Sequence, residues 1–322
     1  MADSRSARAR RPILIDTDPG IDDALAVLFA LRDPRLEVVA ATSIFGNGPT
    51  ARTTANLVRL LELADAGHVP IGLGAHAPLV DPPHPYAAVV HGHDALGDVG
   101  EAGHAIPDGV AYAVTTIIEA AQAHPGELTV VALGPLTNLA LALAVEPRLE
   151  QLVGEVVIMG GAHSVAGNIS AMGEANIVHD VHAAERVLAA SWPTTMITID
   201  VTTQVVMSAD YLDELGTAGL HGRFLREVTR FYEDFHREHH ELAGVFAHDP
   251  VAMMWTVAPE LFSMAEGPVT VATSGPAYGQ TLVDRRPPTR WQEAWSARTP
   301  VRYSTGVDAD GLLELFRRTF DD

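Results

Sequence analysis

The sequence contains no cysteine and no lysine. Without cysteine there is no disulfide, no thiolate nucleophile and no Cys-ligated zinc. All 21 basic residues are arginine, set against 41 acidic ones, for a formal net charge of -20. That balance excludes the basic footprint needed to hold nucleic acid or an anionic membrane surface. No apolar run is long enough to span a bilayer. Residues 1–11 end in Arg8-Ala9-Arg10-Arg11 and lack the apolar core of a secretory signal. They are expected to form a disordered basic tail, and the protein is expected to be cytoplasmic. Internal repeats and low-complexity linkers are absent too, so residues 12–322 are expected to form one domain.

What is present is a large apolar share, 47% of residues, enough for a sizeable core. The chain is organised around Asp16-Thr17-Asp18-Pro19-Gly20-Ile21-Asp22-Asp23. The apolar run Pro12-Ile13-Leu14-Ile15 before it reads as a buried strand, Pro19 and Gly20 reverse the chain, and helical spacing begins near Asp22. Four carboxylates thus gather where a strand ends and a helix starts. One acid would suffice to cap the helix and favour its dipole. Four crowded acids repel one another unless protonated or bound to a cation, and an all-oxygen cluster suits Ca²⁺ or Mg²⁺.

Strand patterns at 36–43, 69–73, 128–133, 155–159 and 194–199 alternate with helical patterns at 50–64, 108–123, after 138 and from about 181. This order implies an α/β fold: a single domain with a mostly parallel, doubly wound sheet and flanking helices. Residues 74–108 are rich in Pro, Gly and His without a period, a length of loop that is usually functional. Leu220, Phe224, Val228, Phe231 and Phe235 mark one face of a long amphipathic helix. His248-Asp249-Pro250 opens another helix, and residues 311–320 form a closing one. Segments near Val269, Thr281 and Val301 are expected to add a small β edge near the C-terminus. Several parallel strands end in polar or Gly-rich stretches, and such a sheet brings those ends to one rim, where ligands bind.

The stretch Asp16 to Ala24 resembles the signature of the inosine–uridine-type nucleoside hydrolases. Gly46-Asn47, Leu133-Gly134-Pro135-Leu136-Thr137-Asn138, Met159-Gly160-Gly161, Glu174-Ala175-Asn176 and His248-Asp249-Pro250 follow in the family's order. Together they span roughly residues 12–260. The resemblance implies a Ca²⁺-dependent ribonucleoside N-ribohydrolase of purine or pyrimidine salvage, usually a homodimer or homotetramer. Asp18, Asp23 and Asp249 match the family's calcium carboxylates, and Leu133 the position that offers its backbone carbonyl. Asp22, Asn47, Asn168, Glu174 and Asn176 match residues that hold the ribose hydroxyls, while Met159 lines the sugar pocket. Asp18 also matches the general base, His248 the group placed against the nucleobase, and Asp16 a support behind them. Asn138 is read as a helix start or loop brace outside the site.

The chemistry suits these residue types. Cleaving an N-glycosidic bond builds positive charge on the ribose, which carboxylates favour. Imidazole titrates in a range useful for an acid that assists the leaving base. Two departures bear on the base: Ala95 stands where a glycine is usual, and His239-His240 replaces an expected aromatic residue. His239-His240 is expected at the frayed end of the long helix, and His91, His93, His236, His239 and His240 match no familiar zinc spacing. A Mg²⁺ phosphohydrolase would call for a lysine that the chain lacks. A catalytically silent nucleoside- or ribose-binding protein on the same scaffold is the alternative from another class.

Overall fold

A computed structural model describes residues 10–99 and 104–321. A nine-stranded sheet is built from β1 (Arg11–Thr17), β2 (Leu36–Ser43), β3 (Ile71–Leu73), β4 (Ala111–Tyr112), β5 (Thr129–Ala132), β6 (Glu155–Met159), β7 (Thr194–Ile197), β8 (Phe262–Gly267) and β9 (Val301–Val307). Their spatial order is β8-β9-β7-β6-β5-β1-β2-β3-β4. All neighbours run parallel except β8 and β9. From β1 the chain winds outward through β2, β3 and β4, then returns to β5 on the other side of β1 and winds the opposite way. The β1/β5 junction is therefore the topological switch point, whose carboxyl edge forms the ligand crevice of open α/β sheets.

Alternate strand residues face opposite sides of the sheet. Ile13, Ile15, Val131 and Val157 pack into one core; Leu14, Val130, Val156 and Ile158 pack into the other. The principal helices are α1 (Ile21–Arg32), α2 (Thr50–Leu63), α3 (Ala113–Ala123), α4 (Thr137–Val145), α5 (Ala175–His179), α6 (Val181–Leu188), α7 (Ile199–Thr202), α8 (Gly219–His240), α9 (His248–Trp255) and α10 (Ala309–Phe320). Helices α1, α8, α9 and α10 cover the first face; α3, α4 and α6 cover the second. Helix α1 is buried from Ile21 to Ala30, as an all-round apolar helix must be.

At the amino edge of the sheet, charges are paired. Glu155 meets Arg11 at 2.5 Å and Arg302 at 2.7 Å, and accepts from Thr195 at 2.7 Å. Arg11 is thus the first residue of β1 and an anchor; residues 1–9, where most of the expected tail falls, lie outside the described residues. The small β edge expected near the C-terminus is present, with a different membership. Val301–Val307 joins the main sheet with Phe262–Gly267, a strand the sequence pattern does not mark, while Val269–Val271 and Thr281–Val283 pair with each other in a separate ribbon.

Candidate active site

Strand β1 carries Asp16 and Thr17 to the carboxyl rim, and the turn at Pro19-Gly20 brings Asp18, Asp22 and Asp23 beside them. Asp16 is buried and held by the Thr42 hydroxyl (2.6 Å) and the Asn138 amide (2.8 Å). The same Asn138 nitrogen donates to the Ser43 carbonyl, and its oxygen accepts from the Ala75 N–H. Asn138 thus braces three segments at the switch point, a larger part than a simple helix start. Asp23 accepts from the Thr17 hydroxyl, from the Gly20 N–H at 2.9 Å and from the Asn47 amide at 3.0 Å. Its bond to Gly20 closes the first turn of α1, so capping is part of its role.

Asp18 accepts the Asn47 backbone N–H at 2.7 Å on one oxygen; the other has no partner. Two glycines make room for it. A Cβ on Gly134 would lie 2.5 Å from Asp18 Oδ1, and one on Gly46 would lie 2.0 Å from Oδ2. Asp249, the second residue of α9, enters from the far side of the sequence. One oxygen each from Asp22, Asp23 and Asp249 falls within 4.8 Å of the others. The tightest group therefore contains Asp22 where the sequence pointed to Asp18, although Asp18 is close enough for Asp23 and Asp22 to raise its pKa.

Among the described residues no arginine pairs with these acids, in contrast to the amino edge. Burial lifts Asp16 to about 7, and burial with the neighbouring Asp23 charge lifts Asp22 to about 8. Asp18, Asp23 and Asp249 rise as well, burial again first. Asp16, Asp18 and Asp22 each keep a buried oxygen without a partner. Orphaned oxygens in an uncompensated acidic cluster fit a hard divalent cation.

Nine of the eleven candidate site residues line one cavity: Asp22, Asn47, Leu133, Met159, Asn168, Glu174, Asn176, His248 and Asp249. Asp18 and Asp23 stand behind this wall, joined to it through Asn47. On one side of the cavity, the Asn176 amide donates to the Leu133 carbonyl at 2.7 Å and the Met159 carbonyl at 3.1 Å, tying the ends of β5 and β6 together. A carbonyl has a second lone pair, so this bond leaves Leu133 an acceptor site. Glu174 caps α5, accepting from the Asn176, Gly161 and Ile177 N–H groups. It is a buried, preorganised acid and not part of a solvated loop. Asn168 is exposed at the rim, its oxygen accepting the Ala175 N–H. Asn47 commits its amide nitrogen to Asp18 and Asp23, which leaves only its oxygen for a ligand.

The opposite side holds His91, Tyr232, Phe235, His236, His240, Phe246 and His248. Of these, the sequence offered His248 as a site residue and linked the segment ending in His240 to the base. His240 belongs to the cavity wall, although it closes α8 where fraying was expected; its ring lies 5.6 Å from that of Phe246. His91 accepts the Ile21 N–H at Nδ1 (3.2 Å) and sits beneath the reversed turn of residues 92–98. In that turn Ala95 is buried at φ 64°, the left-handed conformation that explains the glycine expected there. His248 Nδ1 lies 2.7 Å from the Thr202 hydroxyl. Burial lowers His248 and His91 to about 3 and His236 to about 4. Burial thus favours the neutral form of these rings.

The chain as a whole is similar to known proteins. The family model of inosine-uridine preferring nucleoside hydrolases aligns with residues 13–314. The chain belongs to this family. Uridine nucleosidase 1 of Arabidopsis thaliana is 38% identical over 308 residues, covering 95% of this chain and 91% of the relative. The inosine-uridine preferring nucleoside hydrolase of Crithidia fasciculata is 33% identical over 284 residues, covering 86% and 89%. Among solved structures, a plant nucleoside hydrolase superposes with a TM-score of 0.93 at 34% identity, covering 97% of this chain and 99% of that one. A purine-preferring ribonucleoside hydrolase from Gardnerella vaginalis gives 0.88 at 29% identity, covering 96% and 98%. The protein is thus a nucleoside hydrolase enzyme. The family is metal-dependent in general, and the acidic cluster of this member is the group of residues suited to the metal.

Proposed function

We propose that this nucleoside hydrolase uses Ca²⁺ to release ribose and a free base from ribonucleosides, with uridine the first substrate to try. The observation that carries the reading is one cavity that brings carboxylates and carboxamides together with aromatic and imidazole rings. The uridine nucleosidase names of several relatives support the choice of substrate. Asp18, Asp23, Asp249 and the Leu133 carbonyl are the proposed ion ligands, with Asp22 the nearest further carboxylate. When bound, such a cation orients a water and sugar hydroxyls and lowers the water's pKa.

The chain's own residues do the rest. Asp22, Asn47, Asn168, Glu174 and Asn176 hold the ribose hydroxyls, and Met159 backs the ring. These acids favour the positive charge that grows on the sugar as the C–N bond breaks. Asp18, with one oxygen free of partners, takes the proton of the attacking water. His248 faces the departing base. As a neutral ring it acts as an N–H donor to the negative charge developing there, in the way a neutral imidazole polarises a carbonyl. The enzyme is proposed to work in the cytoplasm as a homodimer or homotetramer; no described helix is long and apolar enough to cross a membrane.

His248→Ala tests the division of labour. It should lower kcat on uridine by about 10² to 10³-fold, the effect of removing one well-placed donor. p-Nitrophenyl riboside, whose phenolate leaves without such help, should be nearly unaffected. Equal losses on the two substrates would show that His248 does not act on the base.

A further inference from the structure

Helix α7 is only four residues long, yet it contacts both the segment at His163-Ser164 and the ring of His248. Its Asp200 carboxylate accepts the His163 N–H (3.0 Å) and the Ser164 N–H (2.8 Å), at the start of the loop that leads to Asn168 and Glu174. Its N-cap Thr198 is pinned by Ser304, whose hydroxyl accepts the Thr198 N–H at 3.0 Å. Its last residue, Thr202, is fully buried and puts its hydroxyl 2.7 Å from His248 Nδ1. Among the described residues this is the one hydrogen bond of the His248 ring.

The hydroxyl proton has one acceptor to go to. The next residue, Thr203, turns its hydroxyl back onto the Ile199 carbonyl at 2.7 Å, the usual outlet for a helical threonine. Thr202 forms no such bond with Thr198 among the described residues. A buried hydroxyl finds a partner, and His248 Nδ1 is the acceptor within reach. Thr202 therefore donates to Nδ1, which leaves the proton of a neutral imidazole on Nε2.

We propose that Thr202 is a positioning residue: its hydroxyl fixes the His248 ring so that Nε2–H, and not a lone pair, faces the leaving base. The proposal rests on the reading of His248 as the donor to that base. In the other tautomer, the Nε2 lone pair would meet the developing negative charge and oppose departure. The hydrogen bond made by the second nitrogen of a histidine commonly sets tautomer and aim in this way.

The test compares Thr202→Val, Thr202→Ser and His248→Ala on uridine and on p-nitrophenyl riboside, with the calcium-loaded enzyme. Thr202→Val, which keeps the shape and removes the hydroxyl, should lower kcat on uridine by about 10 to 100-fold. Its KM should be little changed, and its rate on p-nitrophenyl riboside should stay within about 2-fold of wild type. Thr202→Ser should restore most of the uridine rate. Should Thr202→Val fail to fold, Thr202→Ala, which only removes atoms, serves for the same comparison. Equal losses on both substrates, no loss on uridine, or a serine variant as impaired as valine would overturn the positioning role. If His248→Ala itself hits both substrates equally, the reading of His248 has failed, and that outcome is distinct from a selective His248→Ala paired with an unselective Thr202→Val.

Discussion

Gly134 matters for the atom it lacks. A methyl group there would intrude to 2.5 Å of Asp18 Oδ1, and Asp18 is confined on its other side by Gly46. Gly134→Ala should therefore displace the proposed base without changing its chemistry. Misplacement by about 1 Å costs on the order of 10²-fold in rate, so kcat should fall by at least that much, toward the level of Asp18→Ala. Steady-state kinetics on uridine checks it, and wild-type kcat in the alanine variant would mean that Asp18 has room to spare or is not the base. Asn138 makes a related point about legibility. Its sequence context reads as a helix start, but its partner Asp16 lies 122 residues away. No local pattern reveals such a bond, just as none reveals the Thr202–His248 pair, 46 residues apart. The acids themselves were legible because four of them crowd into eight positions.

At the scale of elements, the strands and helices that follow strong periodicity came through nearly residue for residue. Leu36–Ser43 and Glu155–Met159 coincide with the sequence pattern, and Thr50–Leu63 falls one residue short of it. These segments bury most of their residues or one whole face, so burial dictates their composition. The misses have a common cause. Ala111–Tyr112 is a two-residue exposed strand, and Phe262–Gly267 is an edge strand with no buried face except at Gly267. Neither has to show an apolar alternation. Pairing was the other gap: Val269–Val271 and Thr281–Val283 are strands as expected, but which strand they join is set by the tertiary fold. The His-rich end of α8 likewise takes its place from the tertiary fold. Helical spacing puts His236 and His240 on one face, and Phe246, from outside the helix, packs its ring against both beside the cavity.

At the scale of the whole molecule, charge is sorted by sheet edge. The amino edge neutralises Glu155 with Arg11 and Arg302, while among the described residues the acids at the carboxyl edge pair with no arginine. That sorting has a pH signature. An Asp with its folded pKa raised keeps its proton after the unfolded chain has lost it, so folding stability falls as pH climbs from the unfolded value near 3.8 to the folded one. For Asp16 and Asp22 the window closes at about 7 and about 8. A cation favours the ionised cluster and displaces those protons. In chelator the melting temperature should therefore drop between about pH 5 and pH 8, and the rise on adding calcium should grow across the same range. A calcium increment independent of pH, read by thermal melts in both conditions, would contradict a protonated acidic cluster.

The most direct test of the central claim is ribose release from uridine, inosine, cytidine and adenosine, measured by reducing-sugar assay before chelation, after it, and after calcium is restored. Ribose from at least one nucleoside, lost on chelation and recovered with calcium, is the expected result. No ribose from any of the four with calcium bound, or release indifferent to chelation, would contradict the proposal of a calcium-dependent ribonucleoside hydrolase.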